Sequence, residues 1–462
     1  MTRNETAATP GSLPYDPRYD PLREATPGEN RAYAPTYWIA TAGAPPADDG
    51  PFTGDGEAEV VVVGSGYTGL ATAIFLAREH GIKAHVVEAN RVAWGCSTRN
   101  GGQGQSASGR LSRSQWIARW GVDTAKALHR EIVEGFEVFS DLVAGIDCDP
   151  QPGGHLHIAH RPRYFDKLKA EAEVANSVFS YGIKVIGPEE LRRDFTGEKG
   201  AAGAYLEPLG TGIHAGKLAF GYLKFARSLG ARVHPGSPVT SITREGEYFR
   251  VVTPKGSLRA KSVVLATGGY GGQKLHPALK SRIMPILSNS VVTRVLSKAE
   301  IEAAGIRARQ VMTDTRTLRF YYRLLPDDRL QIGSRSAIAG ADAENPKHLA
   351  LLERGIAEKF PALAGVALDY SWWGWVDVSH DMMPRIVQPD AGERLFYAGG
   401  YGGNGVSYSA QAGRRVAALV AGQPAQALPI FQGPLPGHAF APFRRIGQSL
   451  LYRWYQARDE AA

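Results

Sequence analysis

The chain has 462 residues and a formal net charge of +8, with 43% hydrophobic and 21% charged residues. Such a composition is that of a soluble globular protein, and the length exceeds what one hydrophobic core usually organises, so two domains are expected. Lysines and arginines are scattered rather than massed in runs, which argues against a nucleic-acid partner, and no apolar run reaches the length of a membrane span. The two cysteines, Cys96 and Cys148, neither build a disulfide framework nor have metal-ligand spacing, and no metal site is expected.

The first 56 residues are polar and rich in Pro, Gly and Asp, with neither a basic start nor an apolar h-region; no signal peptide and a cytoplasmic location are expected. Within them, the aromatic pair of TYWIATAG (36–43) is expected to dock on the body. Residues 60–63, VVVV, suit a parallel strand buried on both faces. Gly64, Gly66 and Gly69 follow at GxGxxG spacing. Gly64 allows the tight turn, Gly66 lets a pyrophosphate approach the backbone, and Gly69 lets the next helix pack on the strand. That helix start offers N–H groups and a positive dipole end to phosphate. Glu88 closes the second strand, 19 residues after Gly69, where a carboxylate can hold ribose hydroxyls. The unit predicts a dinucleotide without saying which.

Next comes AWGCSTRNGGQ (93–103), too glycine-rich for a helix and suited to presenting backbone N–H groups to a ligand. A helix is predicted over 114–145, with Ile132, Phe136, Phe139 and Leu142 on one face. In GGHLHIAH, from about 152, Leu156 and Ile158 point one way and His155 and His157 the other. Residues 216–233 read as a helix and a strand, and 248–253 with 257–260 as a hairpin around Pro254-Lys255-Gly256. The buried strand 261–267 runs into GGYGG, a second return to a nucleotide-binding sheet that a simple nicotinamide dehydrogenase does not need. Strands are predicted at 283–295, 317–324 and 330–333, a helix near 347–360, then WWGWVD (372–377) and DMMPR (381–385). Finally LFYAGGYGGNGV (395–406) enters a third glycine turn before a helix at 409–420.

VVVGSGYTGL, Glu88, STRNGGQ (97–103), VVLATGG (263–269), Trp373-Gly374 with Asp381 and Pro384, and YAGGYGGNGV (397–406) together resemble the D-amino-acid-oxidase-type flavoprotein family. Within it the chain is most similar to the branch containing gamma-glutamylputrescine oxidase and related amine or imino-acid oxidoreductases, over roughly residues 36–425. The resemblance implies an α/β fold: a discontinuous Rossmann-like FAD-binding domain beside an α+β substrate domain with a large mixed or antiparallel sheet. It divides the chain into an N-terminal extension (1–56), FAD-binding segments (57–150, 211–273 and 391–425), a substrate-domain excursion with connecting elements (151–210), the substrate domain proper (274–390) and a C-terminal extension (426–462). Gly64, Ser65, Gly66, Thr68 and Gly69 would then hold the pyrophosphate and Glu88 the ribose. Ser97, Arg99, Asn100, Gly101 and Gly102 would line the flavin, Val239 would lie near adenine, and Gly268 beside the cofactor. Gly402, Gly403, Asn404, Gly405 and Val406 would lie at the pyrimidine end, where backbone donors and a helix dipole stabilise the reduced anion. Because STRNGGQ has no histidine and neither cysteine lies in the C-terminal part, the FAD is expected to be non-covalent.

The reaction so implied is hydride transfer from the carbon beside a neutral amine to flavin N5, giving an imine that hydrolyses to an aldehyde or keto product plus an amine. Gamma-glutamyl amines or alkylamines are the favoured substrates, with N-methyl amino acids, cyclic imino acids and sulfonated amines as alternatives. The acceptor is oxygen in an oxidase, the favoured reading, or a quinone or carrier in a dehydrogenase. A non-catalytic flavin-binding accessory subunit is the reading from another class, and the large 274–385 insertion argues against it. Candidate substrate contacts are Tyr321, Tyr322 and Arg323 on a predicted strand, Trp373 with Trp375 and Asp377 as an aromatic, cation-accepting wall, and Lys274 as a charge for oxygen activation. Phe443, Ile446, Leu450 and Trp454, interleaved with Arg444, Arg445, Arg453 and Arg458, form a basic amphipathic stripe, expected to pack on the protein itself, with peripheral membrane contact as the alternative.

Overall fold

A computed structural model describes residues 19–271 and 275–460; Lys274 lies outside them. Two eight-stranded sheets, joined by a three-stranded one, organise the chain. In the first sheet, Gly54–Val63 is central. It pairs in parallel with Ala84–Val87 on one side and Gly256–Leu265 on the other, and Ala84–Val87 pairs in parallel with Arg232–His234. Leu395–Gly399 adds to Gly256–Leu265, also in parallel. The four valines at 60–63 are buried, as the apolar run requires of a strand covered on both faces. Helices Tyr67–His80 and Gly405–Val420 cover one face and pack so closely that a Cβ on Gly413 would lie 2.6 Å from the Thr72 nitrogen.

The second sheet runs in the order Leu368–Ser379, Ile283–Thr293, Leu330–Ser334, Tyr321–Leu324, Val311–Asp314, His155–Ile158, Ala204–Glu207, Lys184–Ile186. Only the pairing of Val311–Asp314 with His155–Ile158 is parallel, so the sheet is mixed, and the architecture is α/β as expected. Segment 151–210 supplies three strands of this sheet and 283–379 the other five, whereas Arg385–Val387 pairs with Leu395–Gly399 on the first sheet.

The long helix is Arg113–Ala144, started by a capping box of Ser112 and Gln115 and broken at Gly121, where φ is +78°. Its predicted face, Ile132, Phe136, Phe139 and Leu142, is buried. TYWIATAG forms the short helix Tyr37–Thr41, docked through Trp38 Nε1, which donates to the Asn100 carbonyl at 2.7 Å. Three predicted boundaries differ. The hairpin strand at 257–260 and the buried strand at 261–267 are one strand, Gly256–Leu265, because its first half pairs with Tyr248–Thr253 and its second with Leu395–Gly399. Residues 317–320 are loop, because their backbone serves the C-terminal helix: Thr317 and Leu318 N–H groups donate to Asp459 at 2.7 and 3.2 Å. The last glycine turn leads directly into its helix at Gly405, four residues before the predicted start at 409.

Behind the second sheet, Lys359 Nζ lies 2.6 Å from Glu198 and 3.0 Å from Asp314, all three buried. Glu198 also accepts from Tyr322 Oη, and Asp314 pairs with Arg316. Burial alone raises the Asp314 pKa, but Lys359 and Arg316 outweigh it and hold the carboxyl below its usual value. Removing the central cation leaves two buried carboxylates under-compensated, so Lys359→Met should cost about 3 kcal/mol in urea unfolding. A loss below about 1 kcal/mol, the range of an exposed ion pair, would contradict this role.

Candidate active site

The first sheet presents its strand ends to a cavity of about 620 Å³ that extends to the second sheet. Its shape follows from the register. Val63 stands beside Leu265 and Leu265 beside Tyr397, two residues before the third strand ends at Gly399, so three glycine turns open on one space. At the first turn Gly64 has φ +103°, and a Cβ there would sit 2.7 Å from the Ala266 carbonyl. A Cβ on Gly69 would sit 1.9 Å from the Gly64 oxygen, which is how the helix lies against the turn. Gly69 itself does not line the cavity. Gly66 does; its added Cβ would meet only Ser97 Oγ, at 3.0 Å. Gly268, at φ +50°, has nothing within 4 Å of such an atom.

Two helices begin here, Tyr67–His80 after Gly66 and Gly405–Val420 after Asn404, and in neither does the N-cap residue bond its own helix through a side chain. Ser97 Oγ accepts from the Tyr67 N–H at 2.9 Å, and Thr68 Oγ1 bonds Tyr401 Oη at 2.9 Å, tying the first turn to the third. Glu88 lines the cavity; it accepts from the Ser65 N–H and hydroxyl at 3.0 and 2.9 Å and from the Asn90 N–H at 3.1 Å. Burial raises its pKa against these donors. Ser65 is fully buried and off the cavity, its hydroxyl spent on Glu88 and on the Ala93 N–H. Val239 lines the cavity beside Pro238.

Along the second segment, Ser97, Arg99, Asn100 and Gly101 line the cavity and Gly102 does not. Arg99 donates to the Trp94 carbonyl at 3.1 Å, with its guanidinium 4.2 Å from the Trp94 ring centroid. Asn100 folds the turn: its amide donates to the Cys96 and Ser97 carbonyls and its oxygen accepts from the Gly102 N–H at 2.8 Å. In the third turn Gly402, Gly403, Asn404, Gly405 and Val406 all line the cavity. Asp377 faces them. Its carboxylate accepts the Gly400 N–H at 2.5 Å and its carbonyl the Gly402 N–H at 2.8 Å; burial pushes its pKa from 3.8 to about 6.

Of the predicted substrate contacts, Tyr321 lines the cavity, with its ring over Gly101 and its hydroxyl held by Ser288 and Ser290 at 3.0 and 2.9 Å. Tyr322 points to the opposite face, and Arg323 is buried against Gln151 and the Ile213 carbonyl, so neither reaches the cavity. Trp373 is buried off the cavity, and Trp375 donates to the Tyr19 carbonyl at 3.0 Å. Three arginines that sequence reasoning passed over occupy the second half instead. Arg110, Arg319 and Arg335 all line the cavity, and among the described residues none has an ion-pair partner. Arg335 above all, then burial and Arg319, depress the Arg110 pKa well below normal; burial and then Arg335 lower that of Arg319, whose Nε is buried without a hydrogen bond.

Beside them, Arg113 pairs with Glu207 at 2.8 Å, and the His155 and His157 ring centroids lie 3.8 Å apart with the planes tilted by 44°. Burial drives the His155 pKa to about 3 and, with His155 and the nearby arginines, holds that of His157 well below normal, so both are neutral imidazoles at neutral pH. His155, His157 and Glu207 bring three ligand atoms within 4.8 Å, but Glu207 is already committed to Arg113 and Arg319 acts on both histidines; the local field opposes a cation. Cys96 lines the cavity; burial pushes its thiol pKa up to about 12.

A family model described as "FAD dependent oxidoreductase" (DAO) matches residues 59–419. The chain is 32% identical over 413 residues to the gamma-glutamylputrescine oxidoreductase of Escherichia coli (strain K12), covering 87% of this chain and 92% of that protein. It is 28% identical over 391 residues to the probable oxidoreductase OrdL of Haemophilus influenzae, covering 83% and 87%. Among solved structures, glycine oxidase from Geobacillus kaustophilus superposes with a TM-score of 0.67 at 20% identity, over 82% of this chain and 98% of that one. The chain belongs to the DAO family of FAD-dependent oxidoreductases, and FAD is its cofactor.

Proposed function

We propose that the protein oxidises a C–N bond in an amine that carries an anionic group, with FAD held non-covalently. The observation that carries this reading is the cluster of Arg110, Arg319 and Arg335 in the cavity without ion-pair partners among the described residues. Cations taken from water and left uncompensated cost several kcal/mol each, and a carboxylate or sulfonate ligand supplies the missing charge through forked hydrogen bonds. A plain alkylamine cannot. Among the expected substrates the gamma-glutamyl amine class, which bears a carboxylate, therefore stands ahead of simple alkylamines. The likeness to the Escherichia coli protein supports the same choice.

The residues present fit FAD. The open approaches at Gly66 and Gly268, the two helix starts and the Glu88 carboxylate suit a dinucleotide diphosphate and its ribose. Gly64, Gly66 and Thr68 would hold the pyrophosphate, Val239 would flank the adenine, and the turn at 402–406 would meet the flavin's pyrimidine end. When bound, FAD supplies the two-electron acceptor for the oxidation. The chain's part is to bind and orient. The arginines fix the anionic end, and their positive field also lowers the pKa of a substrate ammonium, favouring the neutral amine that the reaction needs. Neutral His155 and His157 leave that field intact. Water hydrolyses the imine product. Oxygen is the acceptor in this reading, with a quinone or carrier as the alternative; turnover without peroxide, with dye reduction intact, would select the latter.

Arg335→Met should raise KM for a carboxylate-bearing amine roughly 10- to 100-fold while leaving an uncharged amine of similar length little affected. Equal effects on both substrates would contradict an anion-binding role. A Cys96 thiol raised to about 12 is a poor nucleophile, so acid precipitation should release all the flavin into the supernatant; yellow colour retained on the denatured chain would show a covalent bond.

Asp377 gives a pH signature in the flavin-stripped protein. Its folded-state pKa of about 6 lies above the ordinary 3.8, so the folded state holds the proton longer; stability falls as pH rises through that window, and the deficit persists above it. Asp377→Asn should therefore unfold at a higher temperature than wild type at pH ~8, by roughly 2 to 3 kcal/mol, with the gap closing near pH ~4. A gap independent of pH would contradict the raised carboxyl.

A further inference from the structure

The C-terminal helix, Arg444–Glu460, is amphipathic in the reverse of the usual sense. Its inward side is polar and firmly bonded. Asp459 accepts from Thr317 and Leu318, Arg445 donates to Asp20 at 3.0 Å and to the Pro285 carbonyl at 2.8 Å, and Gln448 and Tyr452 are buried. The apolar residues face away. Phe443, Ile446, Leu450, Leu451 and Trp454, with Phe440 just before the helix, are 48–69% exposed. Residues 443, 446, 450 and 454 fall three or four apart, which makes one continuous stripe. The helix therefore takes from the body what holds it in place without using this stripe.

We propose that this helix docks the protein on the surface of an anionic lipid bilayer. The charge pattern selects that occupant. Arg453 is exposed on the helix, Arg458 is exposed with its guanidinium donating to Thr317 and lying over the Trp454 ring, and Arg444 is half-exposed, whereas Asp459 is buried and Glu460 at the helix end is the one other acidic residue from 432 onward. Apolar and aromatic side chains flanked by arginines suit the boundary between lipid headgroups and acyl chains, where the stripe enters the boundary and the guanidinium groups stay with the phosphates. A second copy of the chain fits less well, since a two-fold contact would bring two sets of these arginines to one patch without carboxylates to pair them. The docking would set the arginine half of the cavity near the bilayer: Thr317 and Leu318, which hold Asp459, directly precede Arg319, and Tyr452 acts electrostatically on Arg110 and Arg335.

The test is sedimentation of the full-length, FAD-loaded protein with phosphatidylcholine vesicles, with and without about 30% phosphatidylglycerol. The protein should bind the anionic vesicles, bind the neutral ones weakly, and come off as salt rises. Leu450→Glu with Trp454→Glu should weaken binding about tenfold or more, and Arg453→Gln should do so less, with flavin absorbance and amine turnover retained in both. Absence of binding to either vesicle, or binding that the double substitution leaves unchanged, would overturn the proposal. A dimer dissolved by that substitution, without vesicle binding, would assign the stripe to a second copy and overturn it too, as would binding that appears only on deletion of residues 1–18.

Discussion

Backbone hydrogen bonds between parallel strands set Val63 beside Leu265 and Leu265 beside Tyr397, and the site is built outward from that alignment. The strands end within two residues of one level, and each is followed by glycines because the chain must turn sharply there without side chains filling the space it turns around. The helices that follow the first and third turns then begin at the cavity, their dipole ends open to it. Their mutual packing, close enough at Gly413 to exclude a Cβ, keeps both starts aimed at one point. A slip of one residue in either pairing would shift a turn along the strand direction and out of line with the other two.

The second half of the cavity obeys a different constraint, which is electrostatic. Arg110 comes from the loop after the second glycine segment, Arg319 from a loop before a strand and Arg335 from just beyond another, so the charge cluster exists only in the folded chain. Of the nearby carboxylates, Asp314 also lines the cavity and raises the Arg319 pKa, though burial and Arg335 outweigh it. Glu207 is engaged by Arg113, Asp314 by Lys359 and Arg316, and the histidine pair stays neutral through burial. Glu207 and Asp314 thus pair with other cations, and Arg110, Arg319 and Arg335 are the groups proposed to bind the substrate's anion.

Most of the cavity half proposed to hold FAD was legible in the sequence as a set of glycine turns, because glycine spacing, apolar runs and a closing acid are local signals of a local geometry. Ser65 shows the limit: its place in the motif suggested phosphate, but its hydroxyl turns back to hold Glu88. The half proposed to meet the substrate was not legible. Tyr321, Tyr322 and Arg323 drew notice together as one strand, yet alternation sends Tyr322 into the core behind the sheet. Arg323 shares the face of Tyr321 but lies under the small sheet, where Gln151 and the Ile213 carbonyl take it up. Three arginines scattered over more than two hundred residues carry no motif. In the C-terminal helix the stripe was visible, but not that the polar side, rather than the apolar one, meets the body.

The arginine cluster is proposed to bind an anionic group of the same amine that is oxidised. The direct measurement is the affinity of the FAD-loaded protein for a matched pair of non-oxidisable ligands, a carboxylate and its uncharged amide, read from the perturbation of the flavin spectrum. A carboxylate bound about tenfold or more tightly, with the advantage shrinking as salt is added, is the expected result. Equal affinity for the two, at every salt concentration, would contradict it.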